Sequence, residues 1–330
     1  MDEKKKEPLI ILTGPTAVGK TDLSIRLAKA VGGEIISADS MQVYRHMDIG
    51  SAKVTAKEMD GVAHHLIDVL EPSDEFHVVI FQKLAKQAIR EIRERGHVPI
   101  VVGGTGFYIQ ALLYDIDFTE EEDAGGQIRR ELEALAAKKG NSYVHALLRE
   151  VDPESADAIH ENNGKRVIRA LEYYRLTGEK ISVHNETERQ KESPYQFLYY
   201  VLNTDRAILY ERINQRVDKM IEAGLVEEVQ RLKDMGMTRG MVSMQGLGYK
   251  EILDYLNGEC SLCEAVDILK RDTRHFAKRQ ITWFKRERDV RWLYLPDFSN
   301  DREKVLEKIC EDCQNMFGWE KMEYQMEERI

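Results

Sequence analysis

The chain has 330 residues, and its 48 Lys plus Arg stand against 58 Asp plus Glu, a formal net charge of −10. With 42% hydrophobic and 32% charged residues, 22 Gly and 7 Pro, the composition excludes a disordered chain, a collagen and a disulfide-stapled miniprotein. At roughly 150 residues per domain the length implies about two structural units. No apolar run approaches the ~20 residues of a membrane helix, and the charged start Met1 to Glu7 leads into no signal-peptide core, so a cytosolic protein with no membrane partner is expected.

Residues 9 to 13, LIILT, are a short apolar run that breaks into Gly14-Pro15-Thr16-Ala17-Val18-Gly19-Lys20-Thr21 and then into the helical spacing Leu23, Leu27, Ala28, Val31. That order, strand then glycine loop then helix, is the setting of a phosphate-binding P-loop, G-x-x-x-x-G-K-T. Its glycines let backbone N–H groups turn onto phosphate oxygens, Lys20 supplies positive charge, and the Thr21 hydroxyl can ligate magnesium. The following helix points its positive end at the same anion, so Gly14 to Thr21 is assigned to a di- or triphosphate.

A second strand, Glu34 to Ala38, runs into Asp39-Ser40-Met41-Gln42-Val43-Tyr44. A carboxylate in Asp39's place serves as a metal-associated group or a base, or else forms an Asx turn or a helix N-cap. The Gln42 amide can read an adenine edge through paired donor and acceptor contacts. His64-His65 with Asp68 looks like a metal cluster, but adjacent histidines on a strand face opposite sides, so a structural role is expected. A helix over Val79 to Arg95 and a strand over Val98 to Val102 then lead into Gly103-Gly104-Thr105-Gly106, a second glycine turn that is weak by itself. Strands alternating with helices and ending in glycine loops imply an α/β fold with a parallel sheet, P-loop NTPase-like, whose ligands sit at the strands' carboxyl ends.

The pattern changes after Asp115. Thr119 to Gly126, TEEEDAGG, reads as a charged hinge, and from Gln127 to about Thr177 the periodicity is helical. Phe197 to Leu202 is a strand again, so the core is expected in two parts, 1–115 and 196–330, around a mostly helical insertion at 116–195. Arg291 to Leu295 is a late strand and Val305 to Phe317 a late helix. The two C-x-x-C pairs, Cys260/Cys263 and Cys310/Cys313, suggest zinc, but Ser261 and Glu264 form a capping box that starts a helix across the first pair; reduced, partly buried thiols are expected.

The net acidity hides a segregation of sign. Arg271 to Arg291 holds eight bases against three acids, while Asp297 to Ile330 holds ten acids against five bases. Within the basic stretch, Phe276, Arg279, Gln280 and Trp283 fall near one another on a helix, so a stacking aromatic lies beside cationic phosphate contacts. Lys165-Arg166-Val167-Ile168-Arg169 is a second basic site, in the insertion. Two such sites flanking a P-loop core point to an extended anionic partner.

Taken together, GPTAVGKT at 14–21, DSMQVY at 39–44, HHLID at 64–68, GGTGFY at 103–108, KRVIRALE at 165–172, GLGYKE at 246–251 and AKRQITWF at 277–284 resemble, in this order, the bacterial tRNA dimethylallyltransferases, or tRNA isopentenyltransferases. The resemblance implies transfer of a five-carbon prenyl group from dimethylallyl diphosphate to N6 of adenosine 37 in the tRNA anticodon stem-loop, with release of diphosphate. It implies that Lys20, Thr21 with magnesium, and the backbone of 16–21 neutralise the leaving group, that Asp39 accepts the N6 proton, and that Thr105 helps position the reacting groups. It further implies that Asp39, Ser40, Met41, Gln42 and Thr105 meet the flipped adenosine, and that Arg129, Lys165, Arg166, Arg169, Lys278, Arg279, Gln280, Trp283 and Lys285 grip the tRNA. A monomer is expected. The acidic tail after 297 matches no part of that family with an assigned chemistry. Competing readings of the core are a small-molecule kinase, a prenyltransferase for free adenine nucleotides, and a nucleic-acid-binding regulator that only senses a nucleotide.

Overall fold

The structure is a computed structural model and describes residues 6–118 and 126–319. Its elements run β1 (Glu7–Thr13), α1 (Lys20–Val31), β2 (Gly33–Ala38), α2 (Ala56–Met59), β3 (His64–His65), α3 (Val78–Glu94), β4 (Val98–Gly103) and α4 (Gly106–Leu113). The insertion follows with α5 (Gln127–Lys139), α6 (Asn141–Val151), α7 (Pro153–Ala158), α8 (Gly164–Thr177) and α9 (Ile181–Gln190). The chain then returns through β5 (Tyr195–Asn203), α10 (Arg206–Glu222), α11 (Leu225–Asp234), α12 (Tyr249–Leu256), α13 (Leu262–Phe284), β6 (Val290–Tyr294) and α14 (Arg302–Phe317). Among the described residues no helix is long and apolar enough to cross a membrane.

The chain divides into two compact units, one of residues 1–113 with 194–330 and one of 114–193, so each expected boundary lies two residues too far along the chain. The expected hinge at 119–126 falls, apart from Gly126, outside the described residues.

In the first unit six parallel strands form one sheet in the order β3-β2-β4-β1-β5-β6. β1 lies inside it because Leu9 to Leu12 are apolar without alternation, and all four are buried, as a strand covered on both faces requires. One face is closed by α1 and α14, whose Leu23, Leu27, Val31, Val305, Leu306 and Ile309 share a core cluster with Ile10, Leu12 and Tyr200. Register then decides where chemistry can occur. Thr13 of β1 and Ala38 of β2 both pair with Gly103 of β4, and Thr13 also pairs with Val201 of β5. The loops after β1, β2 and β4 therefore leave the sheet at the same level and side by side, at the end where open parallel sheets bind ligands.

The histidine pair is structural. His65 Nε2 lies 2.6 Å from Glu34 Oε2 and His64 Nδ1 lies 2.9 Å from Val62 O. Glu34 is also bound by Arg95 and His97, and the Arg95 hydrogen bonds, ahead of those from the histidines, bring its carboxyl down to about 2. The four cysteines are unpaired, Cys313 is buried in the core, and burial pushes the Cys310 thiol up to about 11. Among the described residues no group of three or more His, Cys, Asp or Glu could hold a metal ion.

In the second unit Leu132, Val144, Leu148, Val167, Ile168 and Leu171 pack the helices together. Among its buried polar groups is Glu172, only 5% exposed, which accepts from Arg129 Nε and Nη2 at 2.9 and 2.7 Å and from Arg169 Nη1 at 3.1 Å.

Candidate active site

The P-loop takes the backbone its glycines allow. Gly14 has φ 142 and a Cβ there would meet Leu202 O at 2.4 Å, so β5 leaves room only for glycine. Lys20, the first residue of α1, turns back to donate from Nζ to Gly14 O and Pro15 O, both at 2.9 Å. Burial and the neighbouring Arg216 of α10 lower its pKa to about 8, while Asp39 opposes that fall. Arg216 is half-buried, and burial lowers its pKa while the charge of Asp39 opposes that fall. Lys20, Arg216 and Asp39 thus form one electrostatic group at the mouth of the loop. Arg216 was not among the residues expected from the sequence.

One oxygen of Asp39 is committed to the backbone. Oδ1 accepts from Met41 N at 2.8 Å and from Gln42 N at 3.4 Å, the Asx turn that was the alternative to a functional role. Oδ2 has no hydrogen-bond partner among the described residues, so the carboxylate shapes its loop through one oxygen and leaves the other uncommitted. Ser40, Met41 and Gln42 are half-buried. The Gln42 amide is held at both ends, Oε1 accepting from Ser37 Oγ at 3.2 Å and Nε2 donating to Ala52 O at 3.3 Å, which leaves one N–H for reading a base.

The glycine turn after β4 is fitted to α13. A Cβ on Gly104 would meet Gln280 Nε2 at 2.1 Å, and one on Gly106 would meet Trp283 Cδ1 at 2.2 Å. Thr105 caps the start of α4, its carbonyl accepting from Tyr108 N and Ile109 N, and no hydrogen bond to its hydroxyl occurs among the described residues. The sequence put Gln280 among the tRNA contacts. In the structure it is 6% exposed, accepts from Thr16 N at 2.9 Å and donates to Gly104 O at 3.0 Å, tying the P-loop to the second glycine turn. Thr16 N is consequently engaged by Gln280 rather than turned to a phosphate. The other α13 residues behave differently. Lys278, Arg279 and Lys285 are exposed, the Arg279 guanidinium lies over the Phe276 ring at 5.8 Å, and Trp283 meets Phe107 edge-on at 6.1 Å. His275, Lys278, Arg279 and Thr282 line an open depression on this face.

In the insertion Lys165 and Arg166 are exposed cations, whereas Arg129 and Arg169 share Glu172. One carboxylate thus offsets one of these two guanidinium charges, and the group keeps a net positive charge within its own unit.

The GLGYKE motif, which had no role in the sequence reading, supports the segment after Asp39. Gly246 lies where a Cβ would meet Met41 Sδ at 2.5 Å, and Tyr249 fills the space beside Gly50. Glu228, 2% exposed, accepts from the N–H groups of Asp48, Ile49 and Gly50 and from Tyr249 OH at 2.8 to 3.1 Å. Removing it leaves four donors without their acceptor, so Glu228→Ala should lose roughly 3 kcal/mol of stability in a urea melt. A loss below about 1 kcal/mol would show that water replaces it.

Thr21 follows Lys20 at the exposed start of α1, and its carbonyl accepts from Ser24 Oγ at 2.8 Å. The Thr21 hydroxyl is a hard oxygen donor of the kind magnesium takes alongside phosphate oxygens, so it fits that ion.

Comparison with known proteins identifies the family. The sequence profile of the IPP transferase family matches residues 42–287, and that of the isopentenyl transferases matches residues 8–73. The chain is 64% identical over 303 residues to a tRNA dimethylallyltransferase of Lachnoclostridium phytofermentans, covering 92% of this chain and 96% of the relative. Its structure is similar to the tRNA isopentenylpyrophosphate transferase of Bacillus halodurans, with TM-score 0.71, 46% identity, and 95% and 99% of the two chains covered. It is also similar to a eukaryotic dimethylallyltransferase caught acting on tRNA, with TM-score 0.81, 28% identity, and 97% and 81% covered. With a family profile matched over most of its length and relatives this similar end to end, the chain belongs to the IPP transferase family, the tRNA dimethylallyltransferases.

Proposed function

We propose that the chain prenylates tRNA by moving the dimethylallyl group of dimethylallyl diphosphate to N6 of adenosine 37, and that its P-loop holds the diphosphate leaving group. The observation that carries this reading is the strand register that brings the loop of Lys20 and the loop of Asp39 out of the sheet at one level, with one oxygen of Asp39 fixed in a turn and its carboxylate within electrostatic influence of Lys20 and Arg216. A base and a cationic leaving-group site side by side are what the displacement needs. The N6 lone pair is conjugated with the purine ring, so attack requires both departure of a stabilised anion and removal of a proton.

In the step, a bond forms between N6 and C1 of the prenyl group, and the C1–O bond breaks with its electron pair leaving on diphosphate. Lys20, Arg216 and the P-loop amides after Thr16 receive that charge in a fixed, partly buried frame, where no solvent need reorganise. Asp39 Oδ2 takes the N6 proton. The Thr105 hydroxyl orients the reacting groups. Thr21 and the diphosphate would hold magnesium, which when bound neutralises the oxygens of the leaving group.

To reach this site the adenosine must leave the anticodon-loop stack. Gln42, with its remaining N–H, and the neighbouring Ser40 and Met41 would meet the base. Lys278, Arg279, Trp283 and Lys285 would hold the tRNA backbone together with Lys165 and Arg166, while Arg129 and Arg169 would serve it through the Glu172 cluster. We take the enzyme to be a cytoplasmic monomer.

The test is incubation with magnesium, dimethylallyl diphosphate and unmodified tRNA carrying adenosine at 36 and 37, followed by nucleoside mass spectrometry. N6-prenyladenosine at that position alone supports the reading. Prenylation of free adenine nucleotides in preference to tRNA would sink it.

A further inference from the structure

The acidic C-terminal stretch had no assigned chemistry, yet its first helical residue reaches the P-loop. Arg302 Nη2 donates to Val18 O at 2.8 Å. The guanidinium also takes the place a side chain at position 19 would need: a Cβ on Gly19 would lie 2.3 Å from Nη2 and 3.0 Å from Cζ. Gly19, with φ 95, takes a backbone conformation that favours glycine, and any side chain there would displace the guanidinium. The contact is not a loose surface one. Arg302 Nη1 is buried with no hydrogen-bond partner among the described residues, and α14 is anchored in the sheet's core by Val305, Leu306, Ile309 and Cys313. The Asp301 side chain accepts from Glu303 N at 2.9 Å, fixing the helix start, and Glu303 pairs with Arg26 of α1.

Peptide geometry turns this contact into a statement about the leaving-group site. In a trans peptide the carbonyl and the next N–H point in opposite directions. Holding Val18 O outward against Arg302 therefore directs the Gly19 N–H inward, toward the anion position of the loop. Gln280 holds the same loop from its other end at Thr16.

We infer that Arg302 is a positioning residue for the diphosphate: through Val18 it sets the peptide whose N–H meets the leaving group, so that α14 completes the active site. This rests on the proposed reading of the P-loop as a diphosphate site. The role belongs to ground-state binding as much as to the transition state, because the peptide is oriented before chemistry begins. Its loss should therefore appear in affinity for pyrophosphate and in KM, with a much smaller effect on kcat.

The full chain is compared with Arg302→Met, which keeps the aliphatic stem, and Arg302→Lys, which keeps a cationic donor. Inorganic pyrophosphate binding with magnesium is measured by calorimetry, alongside KM for dimethylallyl diphosphate, kcat, tRNA affinity and thermal melting. Expected for Arg302→Met is a roughly ten- to hundredfold weaker pyrophosphate affinity and a parallel rise in KM, with kcat, tRNA affinity and melting little changed, and partial rescue in Arg302→Lys. Unchanged pyrophosphate affinity with a lowered melting temperature would reduce Arg302 to a structural brace and overturn the inference. So would an equal fall of tRNA affinity and kcat. Failure of the unaltered chain to bind pyrophosphate at all would overturn the diphosphate reading itself, and the inference with it.

Discussion

Asp39→Asn should slow prenyl transfer by roughly 10²- to 10⁴-fold, the usual contribution of a general base, while tRNA affinity stays within about a few-fold. The asparagine is the sharper substitution because Oδ1 of Asp39 also accepts from Met41 N and Gln42 N. An asparagine oxygen can keep that turn, so the variant removes proton acceptance and leaves the loop in place. Asp39→Ala should abolish transfer as well, but it also releases the turn that carries Ser40, Met41 and Gln42. The comparison separates chemistry from shape. If Asp39→Asn transfers at the normal rate while Asp39→Ala does not, the carboxylate is a capping group only. Equal loss of tRNA binding and turnover in both variants would likewise remove Asp39 from the role of base.

The second large effect is at Lys20. Lys20→Met should lower kcat/KM for dimethylallyl diphosphate by roughly 10²- to 10³-fold, the scale of losing one fixed donor to a developing anion. Because burial and Arg216 lower the Lys20 pKa to about 8, its charge is present at neutral pH and is lost as pH rises through that value. Pyrophosphate favours the charged lysine, so binding above that pH should take up a proton and weaken as pH climbs. Calorimetry in buffers of different ionisation enthalpy reads that proton directly. Uptake that persists in Lys20→Met would place the titrating group elsewhere.

The sheet and its loops were legible in the sequence because their signals are local. LIILT before G-x-x-x-x-G-K-T and VPIVV before GGTG each declare a buried strand, a turn and a helix within about twenty residues. The site's remoter supports carry no such signal. Arg216 and Arg302 are single arginines on charged helices, and Arg302 meets Val18 across 284 positions of sequence. Gln280 stands among basic neighbours, but its spacing from Ala277 and Phe284, both buried on α13, puts it on the inward face, and that periodicity was available. Arg169 and Glu172, three apart on α8, were likewise a readable ion pair, but Arg129 joins them only through the packing of α5 on α8. A basic run shows that a polyanion can be bound; only the fold shows which of its charges are already taken.

A P-loop is most often a device for ATP, and we assign this one a different anion. The most direct test follows pyrophosphate and N6-prenyladenosine together during a single reaction with magnesium, dimethylallyl diphosphate and unmodified tRNA, with and without ATP. Equal amounts of the two products are predicted, at a rate that ATP does not raise. A requirement for ATP, or ADP appearing in step with the modified nucleoside, would contradict the assignment.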